Sequence, residues 1–125
     1  MLQKLVYATK QQNAQLDELL MGKYGYLSET LMELAGVAIA QAVHQVNQDE
    51  KRNWKKIAIL VGPGNNGGDG LVAGRHLKLM NYEINIYMFK KLEGKNANFL
   101  QLCTFFDIPH CYIDQKFPIT EEESK

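Results

Sequence analysis

The sequence predicts an α/β fold built around a parallel sheet, and three observations carry that prediction. Ile57-Ala58-Ile59-Leu60-Val61 is a short, unbroken apolar run bounded by lysines and glycines, the pattern of a strand covered on both faces. A glycine-dense loop, Gly62 to Gly70, follows it directly and leads into a helix-period stretch. Downstream, strand-like and helix-like segments alternate, which implies right-handed crossovers between parallel strands.

Thr9-Lys10-Gln11-Gln12 has the form of a capping box, with Thr9 at the N-cap and Gln12 at the third helical position. Leu16, Leu19 and Leu20 form one apolar stripe, and Gly22 and Gly25 end this first helix. Ser28 is the expected N-cap of a second helix, with Glu29 stabilised in its first turn. Leu31, Ala35, Ile39, Ala42 and Val46 recur there at helical spacing, with Met32 and Val43 beside them. Small residues Ala35, Gly36, Ala38 and Ala40 predict a close approach to another element. Lys51 to Lys55 is a polar break around Trp54, a residue expected to pack or to contact a second copy.

Past the loop, a helix is predicted over Asp69 to Met80, with Leu71, Val72, Leu77 and Met80 apolar. Ile84, Ile86 and Met88 alternate with Asn85, Tyr87 and Phe89, as in a strand. Ala97 to Phe106 suits a helix with Phe99 and Leu100 turned inward, and Ile108 to Ile113 opens a third strand. One domain is expected over residues 1–114. A polar tail, 115–125, reads as solvated.

Composition narrows the function. A chain of 125 residues, 46% hydrophobic and 22% charged, has the size and balance of one ordinary globular domain. Its 14 basic and 14 acidic residues cancel, so the basic excess of a nucleic-acid binder is absent. Two cysteines, Cys103 and Cys111, exclude a disulfide-dense scaffold and fit no zinc spacing; both are expected to be reduced core thiols. No apolar run approaches the roughly 20 residues of a membrane span. Met1 to Lys10 is too polar for a signal peptide and lacks the arginine of a mitochondrial presequence. A cytoplasmic protein is expected, or a mitochondrial one whose presequence lies outside this sequence. His44, His76 and His110 are expected in surface or packing roles.

Gly62-Pro63-Gly64-Asn65-Asn66-Gly67-Gly68-Asp69-Gly70 is the chemical centre. It lies at the carboxyl end of the first strand, where open α/β sheets bind ligands. Glycines permit positive φ and close backbone approach. The following helix offers free N–H groups and a positive dipole end, which suit a phosphate. Asn65 and Asn66 add donors and acceptors, and Asp69 places a carboxylate at the expected helix start. Gly62, Gly64 and Gly67 satisfy G-x-G-x-x-G, yet the acid expected at the end of the second strand is missing: Phe89-Lys90-Lys91 stands there, and Glu83 lies at the strand's beginning. The Walker A loop fails too, because Gly68 and Asp69 replace its Lys and Ser/Thr. Lys90 and Lys91 are placed to meet a cofactor phosphate, or they form a solvated pair.

Val61 through Ala73, followed by Arg75-His76-Leu77, resembles the signature of the YjeF N-terminal domain family, which includes the NAD(P)HX epimerases. Leu31-Met32-Glu33-Leu34-Ala35-Gly36 and the stretch from Tyr87 to Pro109 extend the resemblance to roughly residues 5–114. It implies a Rossmann-like three-layer αβα sandwich, incomplete here, and commonly a homodimer. It implies epimerisation of the R and S forms of hydrated NADH and NADPH, with Asn65, Asn66, Gly67, Gly68 and Asp69 at the cofactor and a potassium ion held in part by Asn66. Loss and return of the C6 hydroxyl calls for acid–base help, for which Asp69 is the candidate; a purely structural helix-start role is its alternative.

The sequence departs from the family pattern after Ile113. The family's Asp-Ala-(Ile/Leu)-Phe-Gly and Ile-Asp-Ile-Pro-Ser-Gly segments, which bring the other potassium ligands, do not occur, and Asp114 matches neither context. An inactive or partner-completed form is therefore expected beside the active one. The competing function is a non-catalytic nucleotide-binding or dimerising scaffold of the same fold. A general dinucleotide-binding half-domain rests only on the glycine spacing.

Overall fold

The structure is a computed structural model that describes residues 7–113; the polar tail, Asp114 and the first six residues lie outside that range. Two compact units divide the chain, residues 1–31 and 32–125.

In the first unit, α1 spans Lys10–Gly22. The capping box forms as predicted: the Gln12 amide donates to Thr9 Oγ1 at 3.1 Å and the Thr9 amide to Gln12 Oε1 at 2.8 Å. Gly25 adopts φ +76° just beyond the helix. The leucine stripe does not become a core: no residue of α1 is buried.

Helix α2, Ser28–Asp49, begins one residue earlier than expected: Ser28 is its first helical residue rather than its N-cap, the Leu31 amide closing on Leu27 O, and Glu29 lies in the first turn. Its buried face is Met32, Gly36 and Ala40, with Val43 packed against the core. Ile39 and Val46, which the spacing placed inward, are exposed. Periodicity defined the helix but not its rotation. The close approach of α3 selects the rotation, because only Gly36 fits against Val72: a Cβ there would overlap the valine side chain.

Three parallel strands follow, β1 (Lys56–Val61), β2 (Glu83–Met88) and β3 (His110–Tyr112), in the order β1-β2-β3. The register runs from Lys56 opposite Glu83 to Val61 opposite Met88, and from Ile86 opposite His110 to Met88 opposite Tyr112. Helices α3 (Asn65–Leu79) and α4 (Gly94–Phe105) make the crossovers. Ile84, Ile86 and Met88 of β2 are buried with Leu71, Val72 and Leu77 of α3 and with Phe99 and Cys103 of α4. The predicted alternation in β2 therefore holds, as does the inward turn of Phe99.

Strand β1 differs from its expectation. Only Val61 is buried; Ile57 and Ile59 are half-covered, while Ala58 and Leu60 are exposed. Helix α3 lies against the Ile59 side so closely that a Cβ on Gly74 would come within 2.6 Å of Ile59 Cδ1. An unbroken apolar run signals a strand without saying how many of its faces are covered.

Both crossover helices end alike. Asn81 (φ 72°) and Asp107 (φ 58°) take the left-handed conformation after the C-cap. Tyr82 N–H bonds Leu77 O at 3.2 Å, and Ile108 N–H bonds Cys103 O at 3.1 Å. These are Schellman closures, and each delivers a buried residue, Tyr82 or Ile108, to the start of the next strand. The Tyr82 hydroxyl accepts from Asn47 Nδ2 at 2.9 Å and meets His44 Nδ1 at 2.7 Å, which gives His44 a packing role. Trp54 is part-exposed, its backbone held by Asn47. Among the described residues no helix is long and apolar enough to cross a membrane.

Candidate functional site

The carboxyl ends of β1 and β2 bring Gly62–Gly64 and Phe89–Lys91 to one edge of the sheet. Helix α3 starts at Asn65 rather than Asp69, with Gly64 as N-cap (φ −92°, ψ −169°). Asn65, Asn66, Gly67 and Gly68 therefore form its first turn, and the amides of Asn65 and Asn66 are the helix-end donors left for an anion. Gly67 N–H bonds Gly64 O at 3.1 Å and Gly68 N–H does so at 3.4 Å. Asn65 and Asn66 are exposed, Gly67 and Gly68 buried, and Asp69 half-buried.

Two expectations are corrected here. Asp69 is not a helix-start carboxylate: no acidic residue stands in the first turn of α3. The loop glycines are not present for positive φ, which among the described glycines occurs only at Gly25 and Gly94. Their role is close approach. A Cβ on Gly67 would strike the Gly62 carbonyl, and one on Gly68 would strike Met32 and lie 2.5 Å from Asn96 Oδ1.

Asn96 is the residue that sequence reasoning missed. It occupies the first turn of α4 and is 5% exposed. Its Nδ2 donates to Gly64 O at 3.0 Å, so α4 grips the N-cap carbonyl of α3. The sequence offers no clear signal for it, since Asn98 two residues on has the same composition context and is exposed.

Lys90 and Lys91 are exposed at this edge. Glu83 is at the opposite edge, where its carboxylate lies 3.9 Å from Lys56 Nζ, so it is no substitute for a ribose-binding acid. Surface grooves lined by Tyr82 and Glu83, and by Ile108, Pro109 and His110, also lie at the strands' amino ends. The described residues hold no group of three or more His, Cys, Asp or Glu that could bind a metal ion. Asn66 offers one amide oxygen at the site edge.

Farther along α3, Arg75 and His76 converge on Glu33 of α2. Arg75 Nη2 donates to both carboxylate oxygens, and His76 Nε2 is 2.9 Å from Oε1. The Arg75 guanidinium also lies over the Phe106 ring at 5.8 Å. Partial burial raises the Glu33 pKa, but the hydrogen bonds and charges of Arg75 and His76 outweigh it and hold the carboxyl below its ordinary 4.5. A depressed carboxyl contributes stability above its unfolded pKa and loses it as pH falls through the folded value. The melting temperature of the wild type is thus expected to exceed that of Glu33→Gln at neutral pH, with the gap closing as pH falls below 4.5. A gap that persists unchanged to pH 3 in thermal melts would mean that the charge contributes nothing.

Cys103 is buried and its Sγ donates to Leu71 O at 3.3 Å. Burial pushes its thiol up to about 11 against the opposing charge of Arg75, so it is an inert core group. Cys111, expected in the core, is exposed: it lies on the three-residue strand β3, all of which is exposed.

The parallel sheet, with its glycine loop opening a helix at the carboxyl edge, defines a Rossmann-like α/β protein whose candidate site lies at that edge. Residues 28–123 match the family described as YjeF-related protein N-terminus. The chain belongs to that family. The NAD(P)H-hydrate epimerase of Entamoeba histolytica is 49% identical over 94 residues, covering 75% of this chain and 42% of the relative. That of Paramecium tetraurelia is 41% identical over 113 residues, covering 89% and 48%. The crystal structure of yeast YNL200c matches with a TM-score of 0.77 at 35% identity, over 89% of this chain and 49% of the other. The chain spans about half the length of the curated relatives it matches.

Proposed function

We propose that this chain carries the glycine-loop half of an NAD(P)H-hydrate epimerase, which interconverts the R and S forms of hydrated NADH and NADPH. The observation that carries the reading is the first turn of α3. Asn65, Asn66, Gly67 and Gly68 open a helix at the carboxyl edge of the sheet, in a chain 49% identical over 94 residues to a protein named for that activity.

The residues divide the work. The amides of Asn65 and Asn66 bind phosphate oxygens at the positive helix end. Gly67 and Gly68 let the substrate approach the backbone, while Asn65 and Asn66 offer hydrogen bonds from the exposed rim. Asp69, in the second turn, moves the proton. Protonation of the C6 hydroxyl lets the C–O bond break; water leaves and the ring carries the positive charge. Water then adds to the opposite face and returns a proton to the carboxylate. Asn66 supplies one oxygen ligand to a potassium ion. A full shell needs further oxygen ligands beside it. A homodimer in the cytoplasm completes the reading; exposed Leu34, Ile39 and Val46 on α2 offer apolar surface for a second copy.

The test is turnover of purified R-NADHX, followed by HPLC or proton NMR, with and without potassium. Wild-type turnover is expected, and Asp69→Asn is expected to lose about 10²- to 10⁴-fold, the usual share of one acid–base group. Full turnover by Asp69→Asn would remove Asp69 from the chemistry. A folded chain without turnover would favour the non-catalytic nucleotide-binding or dimerising scaffold.

A further inference from the structure

Asn96 presents an imbalance that the proposed reaction does not explain. Its Nδ2 is used, bonded to Gly64 O at 3.0 Å, whereas its Oδ1 is buried with no hydrogen-bond partner. Rotating the carboxamide would not cure this, because the oxygen would then face the Gly64 carbonyl and two acceptors would oppose each other. The orientation is fixed by its partner, and the orphaned oxygen is a consequence of it.

A buried acceptor without a donor costs stability, and an apolar side chain of similar shape would avoid that cost. The space is otherwise specialised: Gly68 lacks a Cβ where Asn96 Oδ1 and Met32 stand. The contact falls on the N-cap carbonyl that also accepts Gly67 N–H and, at 3.4 Å, Gly68 N–H. Three donors thus converge on one oxygen, and two of them set the first turn of α3.

We propose that Asn96 is a positioning residue of the glycine-loop site, reaching from α4 to hold the first turn of α3 in place, and that it serves this role at a cost in stability. Its importance for turnover rests on the epimerase reading; its effect on the loop does not. Without the amide donor, the Gly64 carbonyl is released from α4 and the helix-end donors lose their fixed direction. Preorganised donors are effective because they are already aimed when the ligand arrives.

The experiment compares wild type with Asn96→Leu in thermal melting, site-resolved amide exchange and R-NADHX kinetics. The leucine variant is expected to melt at or above the wild-type temperature. Its Gly67 and Gly68 amides are expected to exchange at least tenfold faster, and its kcat/KM is expected to fall at least tenfold. A lower melting temperature with unchanged exchange at Gly67 and Gly68 would make Asn96 a packing residue and overturn the proposal. Unchanged exchange with unchanged kcat/KM would do the same. If wild type shows no turnover, the epimerase reading fails, and amide exchange still decides the role of Asn96. Should Asn96→Leu not fold, Asn96→Asp replaces it. Its ionised carboxylate cannot donate to Gly64 O, but its protonated form can, so the protection factors of Gly67 and Gly68 are expected to recover as pH is lowered. Equal protection at pH 3 and pH 7.5, on either side of the ordinary Asp pKa of about 3.9, would overturn the proposal.

Discussion

Gly67→Ala is expected to destabilise the chain by about 1–3 kcal/mol, the usual cost of overpacking. Helix propensity argues the other way, since alanine is favoured over glycine in a helix by about 1 kcal/mol. Sterics decide the sign. The added Cβ would strike the Gly62 carbonyl and lie 3.1 Å from Val61 Cγ1. The first obstacle is backbone and cannot rotate away, so the strand end and the N-cap must move together. Gly64 provides the contrast: a Cβ there meets nothing within 4 Å, and Gly64→Ala is expected to change stability by no more than about 0.5 kcal/mol. Chemical denaturation of the pair separates the two arguments, and a Gly67→Ala variant more stable than wild type would refute the steric one.

Leu71→Ala is expected to cost more, about 2.7–5 kcal/mol, as for buried leucines whose cavities do not collapse. Leu71 is fully buried in the core cluster, and its carbonyl accepts the Cys103 thiol. It follows the glycine turn on α3 and shares the core cluster with residues of β2 and α4. Urea melts should show a lower midpoint with little change in slope. A loss below about 1 kcal/mol would indicate that the helices repack around the gap.

The parts of this fold legible in the sequence are those written in neighbouring residues. Thr9 and Gln12 specify a capping box that needs no outside partner. The alternation of Ile84, Ile86 and Met88 marks β2 because its period matches the pleat. The glycine loop and its flanking residues identified the family, because so long a specific string is rarely met by chance.

The start of α3 was not legible. Asparagine and glycine are poor helix formers, and Asn65 to Gly68 read locally as loop. They are helical because close contacts with Gly62 O, Met32 and Asn96 accept only glycine at positions 67 and 68. The face of α2 was equally hidden: Leu31, Ala35, Ile39, Ala42 and Val46 show a regular period, yet Gly36 against Val72 determines which side is buried.

The sequence by itself determined the order of elements, the parallel α/β class and the family. Each depends on local pattern or on a contiguous string. Only the tertiary structure decided where α3 begins, which faces of α2 and β1 are covered, and that Asn96 reaches Gly64. Those are contacts between residues far apart in the chain, where steric fit overrides local propensity.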